Sequence, residues 1–428
     1  MDSKVSKDHL SFLIKRLRER LWVKPLMVCV LSISAVFTAK LAENTWIAQY
    51  TPNVSRGSLE TLLSIMATSM LVIATFSVSS LLSAYASASS NATPRSFALV
   101  IADDKSKNAL STFVGAFIFS IVALIAFKND FFQAGGIFVL FVFTLIVFAL
   151  VILTFVRWVD CIARLGRMGS TIGKVEHATR KALLRRRNAP TLGGKPLSQD
   201  KAGQRIYASK VGFVQHIDME ALQGWAKDKD KQVRVEALPG SLAAPGRPIA
   251  SLLDASEECS TDELEPVRNC FAIGDERMFD YDPRFGLVVL SEISSRALSP
   301  AVNDPGTAIT IIGVLVRLIT LWSRPLEDEE TDNLKFDRVE VGQVSVMDMF
   351  DDAFSAIARD GARNVEVLVR LQKGLGSIAA IGDKELREAA QYQARIALKR
   401  GKHALEIDED KQQVETAAEF VFKQEGED

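Results

Sequence analysis

Apolar residues are not spread evenly along this chain. They collect in four long segments within the first 157 positions, at Leu26–Ala42, Leu59–Tyr85, Ala109–Phe127 and Gly136–Val156, and thin out afterwards. At 1.5 Å of rise per helical residue, each segment can cross, or nearly cross, a hydrocarbon layer of roughly 30 Å. Ile137–Val156 passes without one charged side chain, a run that a soluble core helix seldom needs. The pattern predicts an α-helical membrane protein (four transmembrane helices) with an α+β cytoplasmic region.

The flanks of these segments set an orientation. Lys15, Arg16, Arg18, Arg20 and Lys24 precede the first segment, and Arg95, Lys105 and Lys107 lie between the second and third. Arg157, Arg164, Arg167, Lys174, Arg180, Lys181 and Arg185–Arg187 follow the fourth, whereas the opposite connections carry only Arg56 and Lys128. Lys and Arg are retained on the cytoplasmic side, so both termini are expected in the cytoplasm of a bacterium, with the protein in its inner membrane. Residues 1–24 place Leu10, Leu13, Leu17 and Leu21 at helical spacing among basic residues, which predicts an amphipathic helix, either lying on the anionic leaflet or packed on the next domain. No cleavable signal is expected.

Five regions follow: 1–24, the basic helix; 25–157, the four spans; 158–204, a helical extension and linker; 205–255, a small β-rich module; and 256–428, a mainly helical domain. The second span is the most polar. Thr68, Thr75, Ser79, Ser83, Ser87 and Ser90 recur at steps of seven, four, four, four and three, which draws a hydroxyl stripe along one helical face. Such a stripe serves close helix packing with interhelical hydrogen bonds, or lines a water-facing wall for small ions. No span carries a buried charge of the kind that marks a proton relay.

Composition narrows the chemistry. Lys and Arg number 51 against 52 Asp and Glu, so no nucleic-acid partner is expected. Four cysteines show no CxxC spacing and four histidines no HExxH pattern, so no metal, no cofactor and no enzyme activity are expected. The lipid bilayer and further copies of the chain are the expected partners, with small ions as the passing species. In the module, Ile206–Ile217 reads as a strand pair around Gly212, Met219–Lys229 as a helix capped by Asp218, and Gln232–Leu238 as a strand. The stretch from Pro239 to Ala250 has the shape of a lipoyl-type hairpin without the lysine that such carriers modify. Asp262–Phe271 is expected to be helical.

Asp282-Pro283 and Asp304-Pro305 look alike, since Asp can cap a first turn and Pro loses nothing at the first helical position. They predict helices over Pro283–Leu298 and Pro305–Trp322, followed by a strand at Arg338–Val341 and helices at Met347–Asp360, Arg363–Ile381 and Asp383–Leu405. Asp282, Arg284, Arg296, Ser299, Asn303, Asp304 and Thr307 concentrate polar chemistry here. One interpretation makes Asp282, Asn303 and Asp304 hard-cation ligands, with Arg284 and Arg296 holding phosphate. The plainer one makes the aspartates caps, pairs the arginines with nearby carboxylates, and has Asn303 brace the turn through its side chain.

Phe285-Gly286-Leu287, Arg296-Ala297-Leu298-Ser299-Pro300 and Asn303-Asp304-Pro305-x-Thr307-Ala308 together resemble a bacterial family of predicted membrane proteins catalogued as domain of unknown function 2254. Thr93-Pro94-Arg95, Gly212-Phe213-Val214 and the Pro-Gly hairpin agree in order, with Thr93 standing where Ser is usual. The resemblance covers nearly the whole chain and implies an architecture, not an activity. On that architecture the expected function is a homo-oligomeric channel or channel-like protein, with the second span around its axis and the cytoplasmic domain assembling or gating it. The alternative is a non-conducting scaffold or sensor that recruits partners through that domain.

Overall fold

The computed structural model describes residues 23–41, 54–91, 93–97, 99, 104–164, 167–198, 203–253, 259–324 and 334–422. The expected amphipathic helix before residue 23 lies outside them. The chain forms two compact units, one within Ser11–Thr171 and one within Ile172–Asp428.

The first unit holds helices α1 (Val23–Leu41), α2 (Arg56–Asn91), α3 (Asp104–Lys128) and α4 (Ala134–Arg164). All four are long and apolar enough to span a membrane. Polar contacts mark their ends. Lys24 Nζ donates to Asn108 Oδ1 at 3.1 Å where α1 and α3 begin. At the opposite end Arg56 pairs with Asp130 at 2.9 Å and Lys128 with Glu60 at 3.0 Å. α1 and α3 therefore run one way and α2 the other. Leu59, Leu63, Phe119, Ala123, Ile137 and Leu140 fill one end of the bundle, and Met70, Phe113, Ala116, Val151 and Trp158 the other. α1 and α3 approach closely at Gly115, where a Cβ would meet Val28 Cγ1 at 2.3 Å.

Helix α5 (Met168–Asn188) opens the second unit. The helical extension expected within 158–204 is shared between two helices, α4 ending at Arg164 and α5 starting at Met168. Eight strands follow: β1 (Gly194–Lys195), β2 (Gly203–Tyr207), β3 (Gly212–Ile217), β4 (Gln232–Val235), β5 (Leu242–Ala243), β6 (Pro248–Leu253), β7 (Phe271–Gly274) and β8 (Phe336–Val341). They make a five-stranded sheet in the order β1-β8-β4-β6-β2 and a three-stranded sheet in the order β5-β3-β7. Helix α6 (Met219–Asp228) is capped as expected, with Asp218 Oδ1 accepting from Ala221 N at 2.9 Å. Ile206, Val214, Leu222, Val233, Leu252, Phe271, Val339 and Val341 share one core beneath both sheets.

Three local expectations change. β2 and β3 belong to different sheets, so Ile206–Ile217 is no hairpin. Asp262–Phe271 holds only the short helix α7 (Glu265–Asn269), after which Phe271 enters β7. β4, β6 and β2 pair antiparallel among themselves, but both sheets also take strands from outside residues 205–255, namely β1, β7 and β8. β8 lies parallel to β4, with Arg234 opposite Glu340 and their side chains paired at 2.9 Å.

The remaining helices are α8 (Phe285–Ala297), α9 (Pro305–Trp322), α10 (Val346–Asp360), α11 (Val365–Ile381), α12 (Lys384–Ala404) and α13 (Asp408–Ala417). By length and composition α9 is a fifth candidate span. Its Ile311, Ile312, Leu315, Leu318 and Ile319 are buried within the second unit, and its Arg317 makes a two-pronged pair with Glu176 of α5 at 2.9 and 3.1 Å. α5 and α8 meet at Gly286, where a Cβ would fall 1.8 Å from Thr179 Oγ1. Gly286→Ala is therefore expected to destabilise the protein by about 1–3 kcal/mol through overpacking. Adding Thr179→Ala should recover most of that loss, as read from denaturation midpoints of the purified protein in detergent.

Candidate functional site

Charge is withdrawn from water around the start of α8. Asp282 is 3% exposed. Its Oδ1 accepts from the backbone N–H groups of Arg284 and Phe285 at 3.1 and 3.2 Å, so it serves the free donors of the first helical turn. The helix starts at Phe285, two residues later than the Asp-Pro pattern predicts, and its N-cap position is Arg284 without a side-chain cap bond. Asp282 therefore receives N–H groups from just ahead of the helix instead of occupying the cap position itself. Oδ2 accepts from Arg277 Nε at 2.7 Å. Above this carboxylate sits Gly240 in the left-handed region at φ 95°. A Cβ there would lie 2.2 Å from Asp282 Oδ2, so only glycine lets the Pro239-Gly240 turn close on the site.

Arg284 turns toward α10. Its Nη1 donates to Asp348 Oδ2 at 2.5 Å and its Nε to Asp352 Oδ2 at 2.6 Å. Burial pushes the Asp352 carboxyl above its ordinary value, with Arg284 pulling the other way. Burial opposes the charge on Arg284 too, but the Asp352 hydrogen bond and the surrounding carboxylates hold its guanidinium above its usual range.

The last turn of α5 supplies three arginines, each to a different segment. Arg185 donates to the Asp280 carbonyl at 3.0 Å and lies over the Tyr281 ring at 4.9 Å. Arg187 donates to the Leu321 carbonyl at 2.8 Å, an acceptor in the last turn of α9 that favours a cation. Arg186 is 3% exposed. Its Nη2 donates to the Gly342 carbonyl at 3.3 Å, while Nε and Nη1 have no hydrogen-bond partner among the described residues. Burial pushes it down to about 10, with the negative charge of Asp282 opposing that shift; at neutral pH it remains a cation.

The other half of the motif lies at the far end of α8. Thirteen residues of α-helix span about 20 Å, so Asp282 and Asp304 cannot share a ligand. Asp304 caps α9: Oδ1 accepts from Thr307 N at 3.0 Å and Oδ2 from Thr307 Oγ1 at 2.5 Å. These bonds hold the Asp304 carboxyl below its usual value. Asn303 acts through its backbone, at φ 51° with its N–H donating to the Ser299 carbonyl at 2.9 Å. This conformation, which Asn tolerates better than most residues, takes the place of the expected side-chain brace. Ser299 Oγ donates to the Arg296 carbonyl at 2.7 Å, and Arg296, Asn303 and Asp304 are exposed. The cation set of Asp282, Asn303 and Asp304 is thus taken apart, and no cluster of three or more His, Cys, Asp or Glu residues suited to a metal occurs among the described residues.

The hydroxyl stripe is resolved by α2. Thr68, Thr75, Ser79 and Ser83 are exposed on the surface of the first unit and Ser87 is half-buried, while the side chain of Ser90 lies outside the described residues. The buried seam of α2 is Leu59, Leu63, Met66, Met70, Ser77 and Leu81, nearly opposite the stripe at 100° per residue. Packing among the described residues of the four-helix unit therefore does not bury Thr68, Thr75, Ser79 or Ser83. Thr68 and Thr75 donate their protons to the Ser64 and Leu71 carbonyls at 2.5 and 2.9 Å.

Gly240 and Arg186 are parts of the buried cluster that the sequence did not announce. Arg186 was legible in principle, because it follows Ala182 and Leu183 by four and three positions on the apolar face of α5. The Arg185–Arg187 run reads more simply as a topogenic flank.

These features define a helical membrane protein joined to an α+β domain organised around a buried carboxylate. The chain belongs to the family DUF2254, described as predicted membrane proteins, whose profile matches residues 18–377. It is similar to an uncharacterized protein of Mycobacterium tuberculosis (strain CDC 1551 / Oshkosh), 29% identical over 232 residues, covering 52% of this chain and 39% of that protein. An uncharacterized protein of Mycobacterium bovis (strain ATCC BAA-935 / AF2122/97) is 30% identical over 227 residues, covering 51% of this chain and 38% of that one. The match therefore spans about two fifths of the length of these relatives. No solved structure matches the chain.

The two Asp-Pro dipeptides should respond differently to substitution. Asp282→Asn leaves Arg277 and Arg186 without their buried counter-charge and should cost about 3–5 kcal/mol. Asp304→Asn should be nearly neutral and Asp304→Ala should cost about 1 kcal/mol, as for a lost N-cap. Because the Asp304 carboxyl is held low, its contribution should be complete above its ordinary 3.8 and be lost as pH falls through the lower folded value. Denaturation midpoints of the three variants across pH check both statements.

Proposed function

We propose that the protein is a homo-oligomeric channel or channel-like protein of the bacterial inner membrane, with α2 around the axis and the Ile172–Asp428 unit as its cytoplasmic assembly or gating domain. On this proposal α1 to α4 are the spans, both termini are cytoplasmic, and α9 is a core helix of the cytoplasmic unit. The two-pronged Arg317–Glu176 pair within α9 and the basic flanks of α1 to α4 support that topology. One observation carries the proposal: Thr68, Thr75, Ser79 and Ser83 face outward from the four-helix unit. Thr68 and Thr75 already donate to their own helix, but hydrocarbon offers the remaining lone pairs of this face no donor, whereas the same face on another copy, or water on an axis between copies, does. Val72 and Phe76 are exposed beside the stripe and would narrow such a path with apolar side chains. No group in either unit is assigned a catalytic role.

A non-conducting scaffold is the second reading. It is favoured by Val211 and Leu242, exposed large apolar residues at the β3–β5 edge of the three-stranded sheet, where a partner could dock.

Ser79→Leu separates the two. In planar bilayers the purified protein should pass current, and Ser79→Leu should reduce it several-fold without changing the oligomer recovered. A protein that assembles yet passes no ions at any voltage or tension would shift the assignment to the scaffold. For topology, a cysteine at Asn129 should react with an impermeant thiol reagent from outside intact cells and one at Lys195 should not; labelling at Lys195 would invert the arrangement.

A further inference from the structure

The first unit contains an apolar cavity. Val36 and Phe37 of α1, Val122, Ile125 and Ala126 of α3, and Phe131 just beyond α3 line a space of about 280 Å3 near the ends of the two helices. Asn129 is the polar residue of the lining, and its Nδ2 donates to the Ile125 carbonyl of its own helix at 2.8 Å. The remaining wall is hydrocarbon. Cavities of about 150 Å3 with such walls already admit benzene, so there is room here for a longer hydrocarbon. Phe37, Ile125 and Phe131 are exposed, so the mouth opens on the surface of the unit and not into its core.

A cation stands at the rim. Phe131 meets Phe37 edge-on, with ring centroids 6.3 Å apart, and Lys40 Nζ lies over the Phe131 ring at 5.1 Å. Lys40 belongs to the last turn of α1. At the end of a spanning helix a lysine lays its stem along apolar surface and carries its ammonium to the headgroup layer. An apolar recess with a cation at that level is complementary to a hydrocarbon chain that ends in a phosphate.

We propose that the cavity between α1 and α3 binds a phospholipid, with one acyl chain in the recess and the phosphate paired with Lys40. Lipid against a flat helix face exchanges contacts with lipid for equivalent contacts with protein. A recess surrounds the chain on several sides and adds dispersion contacts, so this lipid outlasts the others when detergent dilutes the bilayer. A polar metabolite is disfavoured, because the hydrocarbon wall would leave its polar groups without partners. The proposal rests on α1 and α3 crossing the bilayer and is independent of conduction.

The test uses the full chain, reconstituted with a phospholipid that carries a photoreactive diazirine on its acyl chain, then washed in detergent and irradiated. Labelled residues are mapped by mass spectrometry. Phe37 and Ile125 should be labelled, and Ile146, an exposed apolar residue of α4, should not. Lys40→Gln, a change at the rim, should weaken retention of the lipid about tenfold, as for the loss of a charge-assisted contact. Ala126→Phe should fill the recess and abolish the labelling. Equal labelling of Ile146 and Ile125 would overturn the proposal, because the lipid would then be the ordinary annulus. So would an unlabelled cavity in the wild type, because its own chain or another copy would then fill it, or labelling that either variant leaves unchanged.

Discussion

Polar groups withdrawn from water have to find partners, and both units of this protein are arranged around that constraint. In the second unit it falls on Asp282. A carboxylate that deep is tolerable only with its charge compensated, and its partners come from distant parts of the chain: two backbone donors at the start of α8, Arg277 before it, and the field of Arg186 on α5. Gly240 closes the cluster from the β-rich side. Among the described residues, two nitrogens of Arg186 have no hydrogen-bond partner, so its charge is balanced by the field of Asp282 more than by direct bonds. In the first unit Thr68 and Thr75 meet the same constraint by bonding to their own helix, which leaves oxygen lone pairs on the outer face.

α8 sets the spacing of the family motif. Asp282 and Arg284 stand at its N-terminus, and Arg296 and Ser299 near its C-terminus, beside the turn through Asn303 that launches α9. Residues that look like one dense site in sequence are thus two separate pieces of architecture. One locks four segments together, and the other reverses the chain on the surface.

How much was legible in sequence depended on whether the signal was local. The four apolar segments, the caps at Asp218 and Asp304, and the helices beginning near Pro305, Met347, Arg363 and Asp383 follow from periodicity and first-turn chemistry. Their starts appear within about five residues of expectation, while α2 and α4 run on past Tyr85 and Val156 to Asn91 and Arg164. Sheet membership was not legible: β1, β7 and β8 join strands from residues 203–253 across long sequence separations, and nothing local in Phe271–Gly274 tells a strand from the end of a helix. Length and apolarity place α9 among the candidate spans with α1 to α4, and do not separate it from them. The hydroxyl stripe was visible as a stripe, but its outward direction is a property of the packed bundle. Arg186 was hidden by its neighbours, since a run of three arginines after a membrane segment has an adequate explanation in topology alone.

The central claim is that the outward face of α2 is an interface between copies surrounding a path. Determining the structure of the full chain in a lipid bilayer tests it most directly. The account predicts a closed ring of copies with Thr75, Ser79 and Ser83 from each lining a continuous axial cavity. Single copies, or an assembly that leaves these residues against lipid, would contradict it.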